Sequence, residues 1–182
     1  MDLNKREKII LVGKSGSGKD YLMRQLVKKG LKPGLKCTTR PQRLKELQGV
    51  SYNFITEELF NQYIKQNKFL CHQNFTVTPK EGGPQSWHYG ITNDEFESSQ
   101  VFIMTPEDFK NIEPHRRKEC FVVYLDIERS VREWRLIGRH DRNDSVKRRL
   151  DSDEIDFIGF QDYDLRITCP DFDVEDIYGL ME

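Results

Sequence analysis

Apolar residues in this chain gather into short runs separated by polar stretches with helical character. Lys8–Val12 holds the run Ile9 to Val12 and predicts a short strand buried on both faces. A helix is expected after Gly13–Asp20, running through Lys29 and ended by Gly30, Pro33 and Gly34. A strand near Leu35–Thr39 leads into a polar loop, Arg40–Gln48. Gly49–Ile55 alternates, with Val50, Tyr52 and Phe54 in phase, and reads as a further strand. Thr56, Glu57 and Glu58 open a helix to about Gln66. Phe69–Thr78 is strand-like again, and the turn-rich Pro79–Gln85 predicts a hairpin returning through Ser86–Gly90.

The second half repeats the alternation of strand and helix. Val101–Met104 is a short apolar strand, and Thr105-Pro106-Glu107-Asp108 starts a helix with Pro at the first helical position. Cys120–Leu125 is the clearest strand in the chain. Glu128–Gly138 and Asn143–Phe160 read as helices, Leu165–Cys169 as a last strand and Val174–Leu180 as a terminal helix. This order implies an α/β fold around a largely parallel sheet, with a strand-rich insertion from about 35 to 98.

Composition narrows the class. The chain has 182 residues, which fits one domain, and its 11 Phe, 7 Tyr and 2 Trp exclude a disordered tail. Lys+Arg number 29 against 30 Asp+Glu, a net charge of −1, which argues against a protein held to nucleic acid by overall charge. No window approaches the roughly 18 apolar residues of a membrane span. The run after the polar start is too short for a signal peptide, so a cytoplasmic protein is expected. Cys37, Cys71, Cys120 and Cys169 are scattered in strand-like contexts and read as reduced core thiols.

The chemistry begins at Gly13-Lys14-Ser15-Gly16-Ser17-Gly18-Lys19-Asp20, which fits G-x-x-x-x-G-K between an apolar strand and a helix. Glycines let backbone N–H groups turn inward around phosphate oxygens, and the helix N-terminus adds partial positive charge. Lys19 is placed to reach the β/γ-phosphates. The eighth position, which usually carries Ser or Thr for Mg²⁺, is Asp20 here. Its carboxylate is a hard oxygen donor suited to Mg²⁺; its other reading is an acid favoured at a helix N-terminus.

Thr38-Thr39-Arg40-Pro41-Gln42-Arg43, then Glu46, then Gly49-Val50-Ser51-Tyr52-Asn53-Phe54, resembles the guanylate kinase family signature. Tyr89-Gly90 matches a later Tyr-Gly of that family. Arg135-Leu136-Ile137-Gly138-Arg139 with Lys147-Arg148-Arg149-Leu150 looks like its lid. The resemblance implies one P-loop NTPase domain over 1–182. Its core takes in about 1–34, 99–131 and 150–182, with a monophosphate-binding region at 35–98 and an arginine-bearing lid at 132–149. It implies transfer of the ATP γ-phosphoryl group, with Mg²⁺, to a nucleoside monophosphate. Gly13, Ser15, Gly16, Ser17, Gly18, Lys19 and Asp20 would hold ATP and its metal. Arg40, Arg43, Tyr52, Cys71 and Tyr89 would face the acceptor, and Lys19, Arg139 and Arg149 would act on the transferring group. Two arginines three apart suit one phosphate through charge-assisted bonds. A monomer or homodimer is expected.

Arg132, Arg135, Arg139 and Arg142 recur at steps of three, four and three, one face of a continuous helix. Such a face can line phosphates, pair on the surface as Glu128 with Arg132, or track nucleic acid. The acids gather apart from these arginines, at Asp151–Asp156 and Asp171–Asp176, which suggests an anion pocket on an acidic body. The family's base-reading serine, glutamate and serine fall on Lys36, Cys71 (or its neighbour His72) and Ile91, a different set of donors and acceptors. Its paired aspartates are replaced at Val101–Thr105. His72, Gln73, Gln85 and Trp87 are candidates for new contacts to a base. The reading is therefore a kinase for GMP, dGMP or, with these changes, another nucleotide. The rival is a non-catalytic guanylate-kinase-like module that binds a protein.

Overall fold

The computed structural model describes residues 6–43, 46–77, 85–138 and 145–178. In chain order the elements are β1 (Lys8–Gly13), α1 (Lys19–Lys28), β2 (Cys37–Thr38), β3 (Asn53–Phe54), α2 (Glu57–Lys65), β4 (Phe69–Val77), β5 (Gln85–Thr92) and α3 (Asn93–Ser98). There follow β6 (Val101–Ile103), α4 (Pro106–Lys110), α5 (Pro114–Arg117), β7 (Cys120–Leu125), α6 (Arg129–Gly138), α7 (Val146–Asp156), β8 (Leu165–Ile167) and α8 (Glu175–Tyr178). The chain divides into two compact units, Met1–Pro33 with Gln100–Glu182, and Gly34–Ser99.

The first unit is built on a parallel sheet in the order β6-β1-β7-β8. β1 and β7 are buried along their whole length, as expected of central parallel strands covered on both faces. Ile9, Leu11, Val123 and Leu125 pack with Leu22 and Leu26 of α1 and with Ile177 of α8. Leu26 is fully buried, and its truncation to Ala would cost about 2–5 kcal/mol. Tyr124 stacks on Phe157 at 5.7 Å and meets Phe160 edge-on at 5.3 Å, tying the end of α7 to the sheet.

The second unit has the sheet order β3-β2-β5-β4, with β2 and β3 parallel and the other pairs antiparallel. Its long hairpin pairs Cys71 with Ile91, Gln73 with Tyr89 and Phe75 with Trp87. Fully buried Phe60 of α2 lies 4.4 Å from the Phe69 ring and 5.2 Å from His88.

Several elements differ from the sequence expectation. The strand foreseen at Gly49–Ile55 shrinks to Asn53–Phe54. Ser51 N–H donates to the Leu47 carbonyl at 2.9 Å, closing a turn, and Gln48 Oε1 takes the Phe54 N–H at 2.7 Å. α7 stops at Asp156, short of Phe160, and Gly159 then turns the chain at φ 69°. Residues 143 and 144, expected in that helix, lie outside the described residues, as do Thr78 and the turn residues Pro79–Pro84. The last strand ends at Ile167, two residues before Cys169, and Cys169 is exposed. Pro170 has no N–H to donate, so the ladder cannot run on through it. The other three cysteines are buried. Burial pushes the Cys37 thiol up to about 11 and the Cys120 thiol to about 12. Among the described residues no helix is long and apolar enough to cross a membrane.

Candidate functional site

In the first unit, the loop between β1 and α1 takes the shape its glycines allow. Gly16 (φ 79°) and Gly18 (φ 108°) occupy the left-handed region, which side-chain-bearing residues enter at a cost. A Cβ on Gly16 would lie 2.7 Å from the Arg132 carbonyl oxygen. Gly18 is the N-cap of α1, and no side chain caps that end. That end of α1 turns its partial positive charge toward the loop. Lys19 Nζ donates to the carbonyls of Gly13 at 2.5 Å and Lys14 at 3.0 Å, so its charge is held over the loop. Ser17 is fully buried and Ser15 half-buried, while Asp20 is exposed in the first turn of α1. That is a carboxylate open to solvent beside the anion end of a helix. Mg²⁺ commonly takes one or two carboxylates plus phosphate oxygens and water, and Asp20 fits that need. Among the described residues no group of three or more metal-binding side chains is assembled.

The arginine face resolves into different roles. Arg132 is buried, donating from Nε to the Ile127 carbonyl at 2.9 Å and from Nη2 to Glu154 at 2.6 Å. It is therefore a structural cation in the floor of α6, and its acidic partners are Glu154 and, at 3.7 Å, Asp153, not Glu128. Arg135 donates from Nη1 to the carbonyls of Gly16 (3.3 Å) and Ser17 (3.2 Å), and from Nη2 to Pro170 (2.9 Å). It straps α6 to the phosphate loop. Arg149 is half-buried on α7, and Arg139 and Arg142 lie outside the described residues.

The acids expected apart from the arginines come to the loop itself. Asp153 Oδ2 accepts the Ser15 N–H at 2.8 Å and Oδ1 accepts the Ser15 hydroxyl at 3.2 Å. Glu154 pairs with Lys14 as well as Arg132. Burial pushes the Glu154 carboxyl up, but its hydrogen bonds from Lys14 and Arg132 and their charges outweigh this and hold it below the ordinary value. Arg149 stands one helical turn before Asp153, so both occupy the face of α7 that meets the loop. Beside the loop, a cavity of about 770 Å³ is lined by Gly18, Tyr21, Trp134, Arg135, Asp171 and Phe172 among others. That volume suits a small ligand, and the aromatic walls with one carboxylate suit a nucleobase bearing an amino group.

In the second unit, Arg40 is buried and donates from Nη2 to Glu46 at 2.7 Å and from Nη1 to the Pro41 carbonyl at 2.8 Å. Its guanidinium lies 5.2 Å from the Tyr52 ring centre and 5.7 Å from that of Phe54. The second Glu46 oxygen accepts the Arg43 N–H at 2.9 Å, so one carboxylate sets both arginines of the loop. Burial pushes the Glu46 carboxyl up, but the Arg40 and Arg43 hydrogen bonds and charges hold it below the ordinary value. Tyr52 and Tyr89 meet edge-on at 6.1 Å. Arg40, Tyr52 and Tyr89 are therefore brought together, with Arg43 beside them on the loop. Glu46 is the residue the sequence reading left without a role. Its place three positions after Arg43 in the signature was the available signal.

Strand alternation sorts the base-reading candidates. Cys71, Ile91, Gln73 and Trp87 share the face of Tyr89, with Cys71 and Ile91 buried. His72 points to the other face, 6.3 Å from the Phe60 ring and 5.7 Å from Phe69, so it packs against α2 and drops out as a base reader. Lys36 lies two residues before Thr38, the register partner of Tyr89. A small cavity of about 260 Å³ lined by Cys37, Asn53, Tyr63, Lys68 and Asp94 falls on the α2 side, away from Tyr89.

Comparison with known proteins gives the same answer from whole sequences. Residues 5–78 match the guanylate kinase family model. The guanylate kinase of Rickettsia felis is 31% identical over 177 residues, covering 93% of this chain and 88% of the relative. That of Photorhabdus laumondii is 30% identical, with 90% and 80% covered. The crystal structure of guanylate kinase from Anaplasma phagocytophilum shares the fold at a TM-score of 0.63 and 17% identity, covering 98% of this chain and 84% of that one. With the phosphate loop, the Arg40–Glu46 cluster and relatives along nearly its whole length, the chain belongs to the guanylate kinase family of ATP-dependent nucleoside monophosphate kinases.

Proposed function

We propose that this chain transfers the ATP γ-phosphoryl group to a nucleoside monophosphate and that its acceptor base is not selected as guanine. The observation that carries the transfer is the phosphate loop with its uncapped helix end and its lysine. A module that only bound protein would have no use for this geometry. Lys19 and the N–H groups from Ser15 to Asp20 hold the donor phosphates. Mg²⁺ bound at Asp20 would neutralise charge on the donor phosphates. Arg40, Arg43, Tyr52 and Tyr89 hold the acceptor phosphate, and Arg149 with Arg139 offset the charge that develops on the transferring group. The acceptor phosphate is already an anion, so no general base is required.

The base assignment rests on Cys71 and Ile91. A carboxylate that accepts guanine N–H groups rejects other bases by leaving polar groups unpaired. The buried pair at this register is a thiol and an alkyl group, which supplies no such acceptor. Gln73 and Trp87 on the same face supply an amide and a ring, suited to a smaller base or a modified one. Initial rates with MgATP across all ribo- and deoxynucleoside monophosphates test this, with Lys19→Ala as the inactive control. A pyrimidine or modified deoxynucleotide is expected to match or exceed GMP in kcat/KM. A GMP preference of a hundredfold would refute the base assignment and leave phosphoryl transfer standing.

A further inference from the structure

Asp153 of α7 reaches across the fold to the polar donors of the phosphate loop. Its carboxylate engages both polar donors of Ser15, the backbone N–H at 2.8 Å and the hydroxyl at 3.2 Å, across 138 positions of sequence. Its side chain is only 14% exposed. Glu154, the next residue, binds Lys14 on the same loop and Arg132 beneath it. Arg132 is itself 1% exposed, and its Nη1 is buried without a hydrogen bond, 3.7 Å from Asp153. The loop therefore carries two carboxylates fixed to three of its own polar groups, and a buried arginine that partly neutralises them.

We propose that Asp153 is a built-in occupant of the phosphate loop, a carboxylate latch that the donor's phosphates must displace. The inference rests on the reading of Gly13–Lys19 as the donor site. A hydrogen-bond donor committed to Asp153 is withheld from a phosphate oxygen, and a carboxylate held within hydrogen-bond reach of the loop repels the polyphosphate. Both effects lower donor affinity, and both are relieved when the Asp153 carboxylate leaves Ser15. Arg149 lies one turn away on the same face of α7, so a release that carries α7 with it would also move this arginine. Donor binding would then be linked to the placing of a catalytic charge.

The test measures MgATP and tripolyphosphate binding by calorimetry for the full chain, D153N, D153A and K19A, beside thermal melts without nucleotide. D153N keeps the shape of the side chain and removes its charge. The latch predicts that D153N and D153A bind MgATP at least tenfold more tightly, about 1.4 kcal/mol, and tripolyphosphate more tightly too. They should melt at lower temperature than the parent chain without nucleotide. A purely structural contact would lower the melt and weaken binding together. Unchanged or weaker MgATP binding in D153N, with binding lost only in K19A, overturns the latch and leaves the donor site in place. Failure of the parent chain and all variants to bind MgATP overturns the donor-site reading and the latch with it. Should D153A not fold, D153N alone decides between these results.

Discussion

Glu46 is the residue through which the acceptor loop can be tested most sharply. Glu46→Gln keeps the shape of the side chain and removes the charge that faces Arg40 at 2.7 Å. Removing one partner of a buried ion pair costs about 3–5 kcal/mol. Here Arg40 is 3% exposed but Glu46 18% exposed, and Arg40 keeps the Pro41 carbonyl and the Tyr52 and Phe54 rings. Rings of this kind return about 0.5–2 kcal/mol. The expected net loss is therefore about 2 kcal/mol of stability, read as a lower melting temperature. Loss of the arginine geometry should raise the KM for the acceptor about tenfold, equivalent to about 1.4 kcal/mol, and leave the KM for ATP unchanged. The stability difference should also depend on pH. A carboxyl held below its ordinary value in the fold contributes stability that is full above the unfolded pKa, about 4.3. That contribution is lost as pH falls through the lower folded value, so the gap between the parent and Glu46→Gln should close in acid. Equal melts at neutral pH, or a KM for ATP that rises as much as that for the acceptor, would refute the reasoning.

Two other substitutions probe the rest of the site. Gly16→Ala places a Cβ 2.7 Å from the Arg132 carbonyl at φ 79°, so ATP affinity measured by calorimetry should fall at least tenfold, by about 1.4 kcal/mol or more. Cys71→Glu puts a carboxylate on a site 3% exposed and should lower the melting temperature. GMP should recover more of that loss than CMP or dTMP, since of the three bases only guanine has N–H donors on two neighbouring atoms, N1 and N2, to match both carboxylate oxygens. Equal recovery by all three nucleotides would count against the placement of the base.

The parts of the fold that were legible in the sequence are those specified locally. β1, the glycine loop and the start of α1 follow one another without interruption, and each carries its own signal in Ile9–Val12, Gly16, Gly18 and Lys19. Cys120–Leu125 was equally plain, because a central parallel strand is apolar on both faces. Gly49–Ile55 misled because its alternation is real, but Gln48 and Ser51 divert its hydrogen bonds into a turn. Helix α3 went unread since six residues show little periodicity, though Thr92 caps it by accepting the Glu95 N–H at 3.2 Å. Arg132 and Asp153 were beyond local reading for another reason. Their partners are 22 and 138 positions away, and nothing in the spacing of arginines tells a phosphate-facing cation from a buried one. The run Asp151–Asp156 was expected apart from the arginines for the same reason.

The exposure of Cys169 has a practical consequence. Burial shields Cys37, Cys71 and Cys120, and it raises the first and third far above neutral pH. A maleimide dye at neutral pH therefore meets one accessible thiol on the native chain. That thiol stands next to Pro170, whose carbonyl holds Arg135 and which borders the cavity with Phe172. The unaltered protein thus comes ready for single-site fluorescent labelling beside its phosphate loop, without any engineered cysteine.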